Sequence, residues 1–292
     1  MKTSSFVFSC IILLTALWLS GCEEEREEVL VTGNTPPADT ATSRFTVETY
    51  VNKVYITTMG RKPVAAEFDQ TVSSFMQEGF TFENRESFLD TLLRSSEHRA
   101  ILYDRMLVDL LNNVDSLEIQ NEIDAFNVAI TDPQFEELWP QLEREIAKME
   151  TLKASELQFI NGQLTVTETH KIMVNNRIYD DINMGSLNYV LSVFEYFLQR
   201  NPTEAEEEAA VRMVDGFPDT LFLQEGRSKT EFIDIFFSTN DYRAGLVGRL
   251  YSDYLFRTPT QNELDAGLER LGSANDYIAL EISILASEDF IE

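Results

Sequence analysis

The side chains best suited to chemistry are few. Among 292 residues the histidines are His98 and His170 and the cysteines are Cys10 and Cys22. His170 lies beside Glu168 and ahead of Tyr179-Asp180-Asp181, a set of types that could hold a metal or move a proton. The plainer reading of that set is a solvated helix face with a capping role. Neither histidine has a Glu three residues before it, so the Glu-x-x-His ligand pair of di-iron bundles is missing. The chain also lacks a Gly-x-Ser-x-Gly elbow, a phosphate-cradling Gly-rich loop and an EF-hand spacing. No catalytic residue, metal ligand or cofactor is therefore expected, and the chain reads as a non-enzyme.

One Arg/Glu pairing recurs. Arg61-Lys62-Pro63-Val64-Ala65-Ala66-Glu67 returns as Arg200-Asn201-Pro202-Thr203-Glu204-Ala205-Glu206 and as Arg257-Thr258-Pro259-Thr260-Gln261-Asn262-Glu263. Each copy is Arg-x-Pro-x-x-x-Glu, with an aromatic residue six positions before the Arg: Tyr55, Phe194 and Tyr251. The pair could read a ligand. In tandem copies it is expected instead to lock two helices across a corner, with the Pro in the first turn of the second helix.

The elements that carry these residues are helical by spacing. Tyr50, Val51, Val54 and Tyr55 follow the i, i+3, i+4 rule and predict a helix ending at Gly60. A second shared pattern, Arg-Ala-x-Leu-x-x-Arg-x-x-x-Asp-x-Leu, occupies residues 99–111 and 243–255. The step that opens it is Ser95-Ser96-Glu97-His98 upstream, Thr239-Asn240-Asp241-Tyr242 downstream, and Ser287-Glu288-Asp289-Phe290 near the end. His98 thus stands where the other copies place Tyr242 and Phe290, which predicts a packing role. Between 112 and 185 the corner is missing. Helices are expected over 117–130, over 134–149 with an early-turn irregularity or a kink at Trp139-Pro140, and over 167–184.

The expected fold class is all-α, with about ten or more helices in repeated units forming a compact or solenoid-like bundle. The expected divisions are 1–21 signal peptide, 22–44 acidic disordered tether, 45–111 first unit, 112–185 insertion or degenerate unit, and 186–292 two further units. The corner, its aromatic helix and the closing Ser-x-x-aromatic step resemble a family of small helical repeat domains of bacterial surface and secreted proteins. That family is similar in pattern to the phycobilisome linker domains. The resemblance covers roughly 45–111 and 186–292, and it implies scaffolding or surface assembly, with no common catalytic role. The family's usual Gly or Asp beside the Arg and Pro is matched by Gly60, whereas Gln199 and Phe256 stand there in the other copies.

The first residues place the chain. Lys2 precedes an apolar run from Phe6 to Leu19, the pattern of a secretory signal peptide. Leu19-Ser20-Gly21-Cys22 resembles a bacterial lipoprotein cleavage box, which implies lipidation of Cys22 and a membrane anchor rather than a span. Glu23-Glu24-Glu25-Arg26-Glu27-Glu28 is similar to the surface-export signal of Bacteroidota lipoproteins, and reads equally as a solvated, self-repelling tether. Outer-membrane anchoring is expected, on the cell surface or, as the alternative, on the periplasmic face.

Fifty acidic against 23 basic side chains give a formal charge of -27, which repels nucleic acid and anionic lipid headgroups. No nucleic acid partner is expected. These readings converge on a non-catalytic scaffold or binding subunit with an envelope protein partner. The alternative is an enzyme or ligand-binding accessory for extracellular polymers, with its site in 112–185 around His170, Asp180 and Asp181.

Overall fold

Helix α1 (Arg44–Met59) opens on Ser43, whose hydroxyl accepts from the Thr46 amide, and closes on Gly60 in the left-handed region at φ 64°. The structure, a computed structural model, describes residues 42–291. The expected signal peptide, Cys22 and the acidic run lie outside the described residues. After α1 come α2 (Ala65–Glu78), α3 (Phe82–Leu93) and α4 (Ser96–Leu111), which complete a first four-helix unit. The chain then runs through α5 (Ser116–Ala129), a 3₁₀ turn (Pro133–Leu138), α6 (Trp139–Ile160), α7 (Val166–Val174) and α8 (Arg177–Ile182).

A second unit follows as α9 (Ser186–Leu198), α10 (Glu204–Val214), a small hairpin of β1 (Asp219–Leu221) and β2 (Gln224–Gly226), α11 (Lys229–Phe237) and α12 (Asn240–Leu255). Helix α12 also serves as the first helix of a third unit, with α13 (Gln261–Leu271), α14 (Tyr277–Leu285) and the short α15 (Glu288–Ile291). The fold is all-α with many helices, as the periodicity implies.

Local chemistry explains where the sequence reading of boundaries needs correction. Trp139-Pro140 does not kink a helix. It starts α6, with the proline in the first turn, where its missing N–H leaves nothing unpaired. The single helix expected over 167–184 is two. The Asn176 side chain accepts from the Tyr179 amide at 3.1 Å and donates back to Met173 and Ile172 carbonyls at 2.8 and 3.0 Å, so it caps α8 and ends the helix before it. After Gly216-Phe217-Pro218 the chain forms the β1–β2 hairpin, a pairing too short to leave an alternation in the sequence.

The three corners share one geometry. Arg61 donates twice to Glu67, at 2.8 and 2.9 Å, and its other edge reaches Glu97 at 2.7 and 3.0 Å. Arg200 holds Glu206 at 2.8 and 2.7 Å and Asp241 at 3.2 Å. Arg257 holds Glu263 at 2.9 and 2.6 Å and pairs also with Asp289. Each guanidinium lies over the aromatic ring six residues earlier, 5.4 Å from Tyr55, 5.4 Å from Phe194 and 5.1 Å from Tyr251. One arginine therefore ties three helices: the one it leaves, the one its Glu opens, and the one its second acid opens. The Glu also accepts from the backbone at the helix start, Val64, Thr203 or Thr260, at 2.7–2.8 Å. Thr203 and Thr260 return the bond as a capping box, whereas Val64 has no hydroxyl to do so.

The units close on one another instead of stacking outward. In a solenoid each repeat touches only its neighbours. Here α3 of the first unit packs on α14 of the third. Across that seam the Tyr50 hydroxyl donates to the Leu285 carbonyl at 3.1 Å, and the buried Arg85 donates to the Ala286 carbonyl at 2.8 Å and pairs with Glu288. Arg94 meets Asp276 at 3.0 Å, and Arg270 meets Glu86 at 2.5 Å. Of the compact and solenoid-like forms the sequence allows, the compact one is present.

First and second units meet through the shared helix pattern. Arg105 of α4 donates to the Thr57 carbonyl at 2.8 Å, and Arg249, its counterpart in α12, donates to the Tyr196 carbonyl at the matching place on α9. Arg249 also stacks on the Tyr196 ring at 3.9 Å, whose hydroxyl donates to Asp109 of α4 at 3.1 Å. Close approach of α12 to α9 requires Gly245, where a Cβ would sit 1.9 Å from the Phe197 carbonyl oxygen.

Candidate functional site

The polar cluster around His170 does not assemble. His170 is buried on α7, its Nδ1 lies 2.9 Å from the Tyr242 hydroxyl, and that hydroxyl also donates to Thr167 at 3.2 Å. Rings surround it, Phe197 at 4.9 Å and Phe237 at 6.4 Å. Desolvation, with Arg249 nearby, pushes its pKa down to about 3, so the imidazole is neutral at physiological pH. Asp180 turns to Lys229 on α11, Asp181 pairs with Arg177 at 2.8 Å, and Glu168 caps α7 through the Thr165 amide at 2.7 Å. Burial raises the pKa of Asp180 and lowers that of Lys229, and their mutual attraction opposes both shifts. Three neighbours in sequence thus serve three separate contacts.

His98 is in the core, where its slot among the repeats predicts it. Both it and Glu281 are 0 % exposed, and His98 Nε2 lies 3.0 Å from a Glu281 carboxylate oxygen. The other oxygen accepts from the Tyr254 hydroxyl. Burial and the nearby carboxylate hold that phenol's pKa well above its ordinary value, so it stays a donor. Sequence reasoning missed Glu281 as the partner. Its position corresponds to Leu89 and Ile233 in the other units, and a lone acid among apolar equivalents was the available signal. The network joins the first unit to the third and is sealed from solvent.

Among the described residues no group of three or more His, Cys, Asp or Glu is arranged to hold a metal ion, and no helix is long and apolar enough to cross a membrane.

One concavity with room for a ligand lies in the first unit, between α2 and α3. It is a groove of about 510 Å³, within the range of small-molecule sites. Tyr55, Phe75, Phe88 and Leu92 supply its carbon surface. From α2 come Gln70, Thr71, Ser74 and Glu78; from α3 come Asn84, Ser87 and Thr91. At one end sit Glu67 and Glu97, both held by Arg61, which lowers both carboxyl pKa values.

The second unit shows what the same space looks like when filled. There the link from α10 to α11 is longer and carries the β1–β2 hairpin. Leu221 is buried, and Phe222 stacks on Phe194, the counterpart of Tyr55, with centroids 6.1 Å apart and planes at 27°. Gly226 is pressed so close that a Cβ would lie 3.0 Å from Ile235 and 3.2 Å from Met213. Register from the corners equates Gln70, Thr71 and Ser74 with Ala209, Ala210 and Met213, and register from the closing step equates Thr91 with Ile235, all four buried. At these four positions the wall is apolar where the chain plugs it and polar where it stays open. Of the groove residues the sequence motifs mark Tyr55, Glu67, Ser95 and Glu97, whereas Gln70, Thr71, Ser74 and Ser87 belong to no motif, because none marks a hydroxyl ladder.

Comparison of the chain with protein-family models, with curated proteins and with solved structures finds no match.

Proposed function

We propose that the chain is a non-catalytic binding subunit of the bacterial cell envelope, anchored through a lipid on Cys22 and engaging its partner at the α2/α3 groove. The observation that carries the binding half is the contrast between the two units: one cleft plugged by the chain's own hairpin over an apolar wall, its equivalent open and lined with polar side chains. The chemically capable residues of the repeats support the same reading. Each clamp arginine is saturated by two carboxylates, and both histidines are buried in the packing. The anchoring half rests on the lipoprotein-like Leu19-Ser20-Gly21-Cys22 and the long acidic tether, which leave the folded body free to reach a partner beside the membrane. Outer-membrane placement, on the surface or on the periplasmic face, follows the same reading.

The test uses a photo-crosslinking side chain placed at Ser74 in the groove or at Asp69 on the exposed face of the same helix, in intact cells. Adducts at Ser74 well above those at Asp69 are expected. Equal or absent adducts at the two positions would refute groove binding. Separately, Cys22→Ala should release the protein from the membrane fraction and remove the mass of the lipid; retention at unchanged mass would refute the anchor.

A further inference from the structure

We infer that the occupant of the α2/α3 groove is a neutral saccharide chain, an inference that rests on the groove being a binding site. The first ground is the unspent hydrogen-bonding capacity. The Gln70 amide and the hydroxyls of Tyr55, Thr71, Ser74 and Ser87 line the groove, and none of them makes a hydrogen bond among the described residues. In α2 the lining recurs at 67, 70–71, 74 and 78, and in α3 at 84, 87–88 and 91, so each helix presents one edge along the groove. The α2 edge from Glu67 to Glu78 is about 16 Å of helix at 1.5 Å per residue, room for roughly three sugar rings.

The second ground is the combination of that ladder with Tyr55, Phe75 and Phe88 beneath it. A pyranose has the same division, C–H faces that pack on rings and an equator of hydroxyls that donate and accept. Ser, Thr and Gln suit it because each can do both.

The third ground is charge. No Lys, Arg or His lines the groove. Glu67 and Glu97 share the single guanidinium of Arg61, and Glu78 adds a further negative charge at the far end. Uronates, sulfated glycans and phosphate groups would be repelled.

A peptide like the chain's own hairpin is the less suitable guest. It is accepted in the second unit by Ala209, Ala210, Met213 and Ile235. Over Gln70, Thr71 and Ser74 the same hairpin, packed through Leu221, Phe222 and Gly226, would bury unpartnered donors and acceptors, at about 1–3 kcal/mol for each.

The experiment titrates the full anchored chain in detergent calorimetrically with neutral gluco-, manno-, galacto- and xylo-oligosaccharides of three to six units, beside oligogalacturonate. Binding of at least one neutral series is expected, with no heat from oligogalacturonate. Replacing the two α2 residues by those of the second unit, Thr71→Ala with Ser74→Met, should weaken binding at least tenfold with an unchanged melting temperature. Chemical shifts of the native protein on adding sugar provide a second readout and should move in α2 and α3. No binding of any neutral series at millimolar concentration, equal binding of the uronate, or shifts outside α2 and α3 would each overturn the inference. If crosslinks at Ser74 capture a protein while no sugar binds, the saccharide inference fails and the binding reading survives. If neither is seen, both fail.

Discussion

Replacing Glu281 by leucine tests how the first and third units are joined. Glu281 accepts from Tyr254, faces His98 Nε2 at 3.0 Å, and has no exposed surface, as has His98. Glu281→Leu is apolar and of similar size, so the packing volume nearly survives, while a histidine and a phenol lose their partner in a dry interior. His98 Nδ1 already has no partner among the described residues, so the imidazole would be left bare on both nitrogens. Breaking one side of such a buried set costs about 3–5 kcal/mol. At roughly 2–4 °C per kcal/mol for a body of this size, the melting temperature should fall by about 6–20 °C. The repeats supply the compensated variant. Phe290 occupies the His98 slot, Leu89 the Glu281 slot and Phe197 the Tyr254 slot. The triple variant His98→Phe, Glu281→Leu, Tyr254→Phe should recover to within about 1 kcal/mol of the native protein, since well-packed apolar replacements of buried polar sets are often neutral or stabilising. Urea unfolding of the single, triple and native proteins at pH 7 reads these differences. A single substitution costing under about 1 kcal/mol would mean that water reaches the network. A triple variant as damaged as the single one would mean that packing at α14, not polar pairing, holds the seam.

Three further outcomes follow from other sites in the fold. His170 is neutral when folded, with a pKa near 3, against an ordinary value of 6.5; the unfolded chain binds the extra proton, so stability falls as pH drops through 6.5 and continues falling towards 3. This group contributes a slope of up to about 1.4 kcal/mol per pH unit between pH 6 and 4, and His170→Phe should flatten it in urea melts. At lower pH the clamps add a loss of the same sign. Glu206 and Glu263 are held down at about 2, chiefly by hydrogen bonds from Arg200 and Arg257, so their contribution is complete above pH 4.5 and disappears as pH falls towards 2. At their exposure each pair is worth no more than about 1 kcal/mol. Phe256 closes α12 with φ 54° and is 88 % exposed, at the position where Gly60 closes α1. Phe256→Gly should stabilise by about 1 kcal/mol, because a bulky residue is strained in the left-handed region and loses no packing here. A lower melting temperature for that variant would show that the ring has a hidden contact.

By itself the sequence determined the helices and the corner. Apolar residues at 3.6-residue spacing can be buried only as helices, and Arg-x-Pro-x-x-x-Glu repeated three times requires a repeated local geometry, since its partners lie within seven residues of one another. The aromatic residue six positions before each arginine was legible as part of the same repeat, and its place under the guanidinium came from the structure. What lay beyond local reach was decided by tertiary structure. The second acid of each clamp, Glu97, Asp241 or Asp289, comes from a helix many residues later. The Asn176 cap divided a helix that periodicity alone made continuous, and His170 was turned away from Asp180 and Asp181 by rings and a lysine from the second unit. The groove is the fullest case. Gln70, Thr71 and Ser74 read as an ordinary solvated helix face, and only the splay of α3, set by its packing on α14, faces them across an open cleft. Only the hairpin in the equivalent place, with Phe222 on Phe194, shows that the cleft is a space another segment would fill.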